Sequence, residues 1–185
     1  RRGAPPATPA GTLAATTPGT APGFLSPERP HTQNAPETVA IPAAAQPPAK
    51  PASGYGPPIG MTEALALIER GIEKSTAQGL KMAFAIVEPS GELVAFARMD
   101  VVPYASIRLA QQKASTSARL RLTTAELEER VQKGGRTVLL SSDEVIAIGG
   151  GVPIVVDGRI IGALGVSGGT AAQDAAVAEE TVAPR

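Results

Sequence analysis

Between Gly165 and Asp174 the chain reads GVSGGTAAQD, a spacing able to hold an anion through its backbone. Thr170, with Gln173 three residues on, has the pattern of a capping box, so Ser167-Gly168-Gly169 stands where a helix begins and presents free N–H groups. The plainer reading is that these glycines permit a tight strand-to-helix turn. Other reactive chemistry is scarce. The sequence holds no cysteine and one histidine, His31, which excludes disulfides, thiolate metal sites and any histidine pair. It has no Ser-His-Asp or Cys-His set, no HExxH and no phosphate-binding GKS/T loop. Asp100, Asp157 and Asp174 lie near glycine-rich loops. Asp157 is accounted for by a turn, and Asp174 by the first turn of a helix, where negative charge is favourable. This inventory weighs against an enzyme.

The elements that must position these residues are legible as two hairpins and four helices. Ile154 to Val156 and Ile160 to Val166 are apolar and β-branched, and Asp157-Gly158 between them supplies the positive φ angles of a two-residue primed turn. Lys81 to Val87 and Glu92 to Arg98 form a second hairpin around Pro89-Ser90-Gly91. Met61 to Gln78 places Met61, Leu65, Ile68 and Ile72 on one face, with Thr62 as N-cap and Gly79 past the end. Tyr104 to Leu120 carries Ile107, Ala110, Ala114 and Ala118 along one side, small residues that let a helix lie close to a sheet. Thr123 with Glu126 opens a short helix that ends at Gly134-Gly135, and an alanine-rich helix runs from Ala171 to Val182. Hairpins with helices grouped between them predict an α+β domain. Its antiparallel sheet has four or five strands packed with helices, the fifth supplied by Val138 to Leu140 or Val145 to Ile148.

This domain is expected over residues 59–185. Fourteen of the eighteen prolines fall before Ile59, and residues 1–58 are otherwise Ala, Thr, Gly and Ser with few large apolar side chains, an extended arm that cannot build a core. The arm sums to +2 and the domain to −2, and five aromatic rings make no stacking platform, which argues against a nucleic-acid partner. No apolar run is long enough to span a bilayer. The start at Arg1-Arg2 and the Ala/Pro/Thr-rich spacer after it suggest a processed, exported chain, periplasmic or secreted. No apolar segment follows the arginine pair to make an export signal of it.

Taken together, Arg98-Met99-Asp100, Pro103 and Ser106, Ala110 with Lys113-Ala114 and Thr116, Gly149 to Ile154, Asp157-Gly158, Ile161-Gly162-Ala163, Gly165 to Gly169 and Asp174 resemble the GlcG/HbpS family of small haem-binding proteins in order and spacing. The resemblance covers about Met61 to Val182 and leaves the arm outside. It implies a profilin-like fold and symmetric homo-oligomers. It also implies haem binding by some members, haem degradation or iron storage by a few, and attachment to larger proteins. Fold likeness alone does not carry an activity across.

For a haem-type cofactor, the resemblance directs attention to Arg98, Met99, Asp100, Tyr104, Lys113, Thr116, Ser167, Gly168 and Gly169. Met99 and Tyr104 are the candidate iron ligands, since His31 lies deep in the arm. Met99 reads more readily as a core gap-filler, and Tyr104 also reads as a helix-start residue with its hydroxyl in water. Arg98, Lys113 or the Ser167–Gly169 nest could meet the propionates. Lys113 also reads as a surface charge or an ion-pair partner of Asp100. Two functions of different class follow. One is an extracytoplasmic, oligomeric, non-catalytic haem- or tetrapyrrole-binding protein. The other is an accessory or structural subunit that holds no ligand and grips a larger partner through its Pro-rich arm, with Phe24-Leu25, Val39, Ile41 and Tyr55 as anchors.

Overall fold

A computed structural model describes residues 54–184. His31 and the anchors Phe24, Leu25, Val39 and Ile41 lie outside the described residues. The elements follow in the order β1 Gly54–Tyr55, α1 Met61–Ala77, β2 Ala83–Val87, β3 Leu93–Arg98, α2 Ala105–Leu120, α3 Thr124–Gln132, β4 Gly151–Val156, β5 Arg159–Ser167 and α4 Ala171–Val182. A short 3-10 helix, Thr137–Ser141, precedes β4.

The β4–β5 hairpin forms where Asp157 (φ 49°) and Gly158 (φ 71°) both take the left-handed backbone that a primed turn requires. The long strand β5 then organises the sheet. It pairs antiparallel with β4 along Arg159 to Gly165 and with β2 along Ala163 to Ser167. β2 in turn pairs antiparallel with β3, which is the edge strand on that side. The fifth strand is neither of the segments expected. Val138 to Leu140 falls in the 3-10 helix and Val145 to Ile148 is irregular, whereas Gly54–Tyr55 adds to β5 in parallel at Arg159 and Ile160. The folded part therefore begins before Ile59, and the sheet is mixed rather than purely antiparallel.

Alternation along β2 divides the core. Phe84 and Ile86 point to one face, where they meet Ile68 of α1 and Val177 and Ala178 of α4. Ala83, Ala85 and Val87 point to the other, against Ala110, Ala114 and Ala118 of α2. That helix lies very close to the sheet because Gly165 faces it: a β-carbon there would run into the Ala110 carbonyl. On α1 the buried face is Ala64, Ile68, Gly71 and Ser75; of the predicted stripe, Ile68 is buried and Ile72 packs against the core, whereas Met61 and Leu65 are exposed. Small residues win there because α1 rests on the Phe84 ring. Its N-cap is Gly60 rather than Thr62.

Candidate functional site

Register brings two of the marked segments to one end of the sheet. Ala83 of β2 pairs with Arg98 on one side and with Ser167 on the other, so the RMD and SGG segments stand in line. Beyond Arg98 the chain turns into α2 through Val101, a β-branched residue held at φ 67° and 92% exposed. Such a conformation costs on the order of 1–3 kcal/mol and persists only where the surroundings impose it. Here the flanks are fixed: the Met99 N–H bonds the Met82 carbonyl at 3.0 Å, and Val102 is buried. The result is a protruding corner. Tyr104 is 82% exposed, and the Arg98 guanidinium lies 5.3 Å from its ring centroid. Asp100 is exposed beside them.

Met99 turns inward. Its sulfur accepts from the Met82 N–H at 3.4 Å and the Ser75 hydroxyl at 3.5 Å, while its side chain packs against both core clusters. The gap-filler reading describes it, and its thioether is not presented to a ligand. Tyr104 remains the exposed oxygen donor of the pair.

Lys113 corrects the expectation more sharply. It is 1% exposed, and its Nζ lies 2.6 Å from Oδ2 of Asp174, itself 2% exposed, and 3.1 Å from the Val166 carbonyl. It is neither a surface charge nor a partner of Asp100, and it cannot reach a propionate. The second Asp174 oxygen accepts the Gly169 N–H at 2.9 Å. The anion expected on the Ser167–Gly169 segment is thus the chain's own carboxylate, with the Thr170 N–H taken by the Gln173 side chain in a complete capping box. Thr116 is buried as well, its hydroxyl accepting the Ile146 N–H and donating to the Glu144 carbonyl. Around this pair, Gly149 and Gly151 donate their N–H groups to Glu128 and Thr124, which ties the loop before β4 to α3. Lys113 and Asp174 therefore form a buried ion pair that links α2 on one face of the sheet to α4 on the other, while Thr116 separately ties α2 to the Glu144–Ile146 loop, Gly168 is half-buried and Gly169 is exposed.

Sequence reasoning missed the Asp174 partnership, although a signal existed. Ser106, Ala110, Lys113 and Ser117 share one helical face at four- and three-residue spacing, and a lysine on a face of buried small residues requires a buried anion. Among the described residues no three His, Asp or Glu side chains converge to hold a metal ion.

The family model described as "Haem degrading protein HbpS-like" matches residues 59–183, nearly all of the described fold. The chain belongs to the HbpS-like family. Its relative GlcG of Escherichia coli K12 is 41% identical over 104 residues, which are 56% of this chain and 77% of GlcG. Among solved structures, the Klebsiella pneumoniae protein ORFY superposes with a TM-score of 0.64 at 28% identity, over 70% of this chain and 92% of ORFY. A PduOC–haem complex superposes at 0.61 and 29% identity, over 68% of this chain and 93% of PduOC. Membership in the HbpS-like family accounts for the α+β fold. In this HbpS-like chain, the marked residues divide into an exposed corner, Arg98, Asp100 and Tyr104, and a buried scaffold behind it.

Proposed function

We propose that the domain is a haem- or tetrapyrrole-binding module, non-catalytic, working as a homo-oligomer outside the cytoplasm. The observation that carries this reading is the corner itself, where a phenol and a guanidinium stack in solvent on a strained turn fixed to the sheet. The PduOC relative bound to haem supports the same ligand class. The donor set fits such a ligand: Tyr104 offers an oxygen to iron, and Arg98 a charge-assisted hydrogen bond to a carboxylate. Bound haem would supply the iron and its visible spectrum, while the chain's part is to orient it and hold its charged edge.

Titrating haemin into the full chain tests this. The expected result is a saturable Soret band displaced from that of free haemin, altered in position by Tyr104→Phe and weakened by Arg98→Gln. No displacement, together with co-purification of a larger protein that is lost when residues 1–53 are removed, would replace this reading with the accessory-subunit one.

A further inference from the structure

We infer that the tetrapyrrole lies along the groove between β3 and α2, with Arg108 as its second carboxylate anchor. This rests on the tetrapyrrole reading above and adds where on the domain the ligand is held. Three observations carry it.

The first is the groove. A cavity of about 250 Å³ lies between the β2–β3 hairpin and α2, with Val87 and Leu93 on the strand side and Arg108, Gln112 and Ser115 on the helix side. The β2–β3 ladder slips between Ile86 and Val87, so Val87 of the cavity lining stands at a bulge.

The second is continuity with the Arg98–Tyr104 corner. Leu93, Phe96 and Arg98 pair with Val87, Ala85 and Ala83, the β2 residues on the α2 side of the sheet, so these three share the face that borders the helix. On α2, Arg108 stands one turn after Tyr104, roughly 6 Å along the same stripe, and Ser115 ends the run about 16 Å from Tyr104. Arg98 and Tyr104 thus stand at one end of this strand–helix face and the cavity at the other, beside an edge strand, with half-exposed Leu93 and partly buried Phe96 on the same face.

The third is charge. Among the described residues Arg108 makes no ion pair and donates no hydrogen bond, whereas Arg119 further along the helix holds the Ser90 carbonyl at 2.8 Å, Glu92 at 3.5 Å and Glu144 at 3.4 Å. Glu92, the carboxylate that lines the cavity, is therefore already paired, and Arg108 is the cation left for a ligand. Two arginines, Arg98 and Arg108, flank Tyr104. They suit a flat macrocycle with two carboxylates. A corrin fringed with neutral amides would form no bidentate ion pair with either.

The test uses the full chain with three probes: haemin, haemin dimethyl ester and cyanocobalamin. Wild type is expected to bind haemin more tightly than either neutral-fringed probe. Arg108→Gln should weaken haemin about three-fold, the loss of one solvent-exposed ion pair, and leave the affinity for the ester unchanged. Arg108 is exposed, so the variant should melt like wild type. A merely structural role would weaken both porphyrins alike and overturns the assignment. So does unchanged haemin affinity in Arg108→Gln, or cyanocobalamin binding as tightly as haemin. If wild type gives no Soret displacement, the tetrapyrrole reading falls as a whole. If wild type gives one and Arg108→Gln is indifferent, only the groove assignment falls.

Discussion

Burying an ammonium and a carboxylate is tolerable only when each finds a full set of partners, and Lys113 and Asp174 do: a 2.6 Å contact with each other, the Val166 carbonyl for the amine, the Gly169 N–H for the acid. No buried side-chain polar atom among the described residues lacks a partner. Removing one member leaves a charge without compensation. Lys113→Met should therefore cost about 3–5 kcal/mol in urea unfolding, and Lys113→Met with Asp174→Leu should recover much of that loss, because an apolar pair of similar volume carries no desolvation penalty. A double variant as unstable as the single one would show that the pair is not the source of the effect. This pairing spans 61 residues, so no local spacing displayed it; only the position of Lys113 among buried alanines hinted at it. Arg108 was hidden for the opposite reason. On a helix it is indistinguishable from any solvated charge until the fold sets it on the wall of a cavity with Val87 and Leu93.

Elements whose instructions are local were legible, and those that depend on a distant surface were not. Asp157-Gly158 dictates its turn by backbone φ alone, and Thr170 with Gln173 caps α4 by short-range hydrogen bonds, so both follow directly from the residues. Thr170→Ala should cost about 1 kcal/mol in urea unfolding, the worth of one N-cap, while leaving haemin affinity unchanged, because the cap faces solvent beside the buried pair rather than the exposed corner. The packing of α2 is a longer-range matter. Its closeness to β5 depends on Gly165 lacking a side chain, and Gly165→Val would push the helix off the sheet at the level of Ala110 and Ala114. That variant should lose the cooperative urea transition altogether. A Gly165→Val protein with a wild-type midpoint would mean that α2 does not lie where the structure puts it. The two-residue strand β1 carries no periodicity at all and exists only because β5 offers an open edge at Arg159 and Ile160.

At the scale of the whole molecule, the two ends of β5 divide the labour. Ser167 stands in line with the RMD segment across β2, while Arg159, eight residues away and roughly 27 Å along the strand, receives β1. Tyr55 in β1 belongs to the domain rather than to a partner: its hydroxyl donates to the Ala118 carbonyl at 3.0 Å and lies 3.1 Å from that of Arg119, and the Arg121 guanidinium stands 5.7 Å from its ring centroid. These bonds satisfy carbonyls at the end of α2 that the helix itself leaves open. A chain starting at Gly54 and one starting at Ile59 differ by these contacts, by the pairing of β1 with β5 and by the Gly56 N–H bond to the Ile160 carbonyl at 2.9 Å. The shorter form should be less stable by about 1–2 kcal/mol, with Tyr55→Phe in the full chain recovering part of that difference as a loss. Haemin affinity should be the same in both truncated forms, since the Arg98–Tyr104 corner lies at the other end of the sheet. If the shorter form binds haemin more weakly while Tyr55→Phe does not, residues 54–58 touch the ligand and the division between the two ends fails. If both weaken together, the end of α2 transmits strain to its beginning, and the clasp at Tyr55 is part of what holds Tyr104 and Arg108 in place.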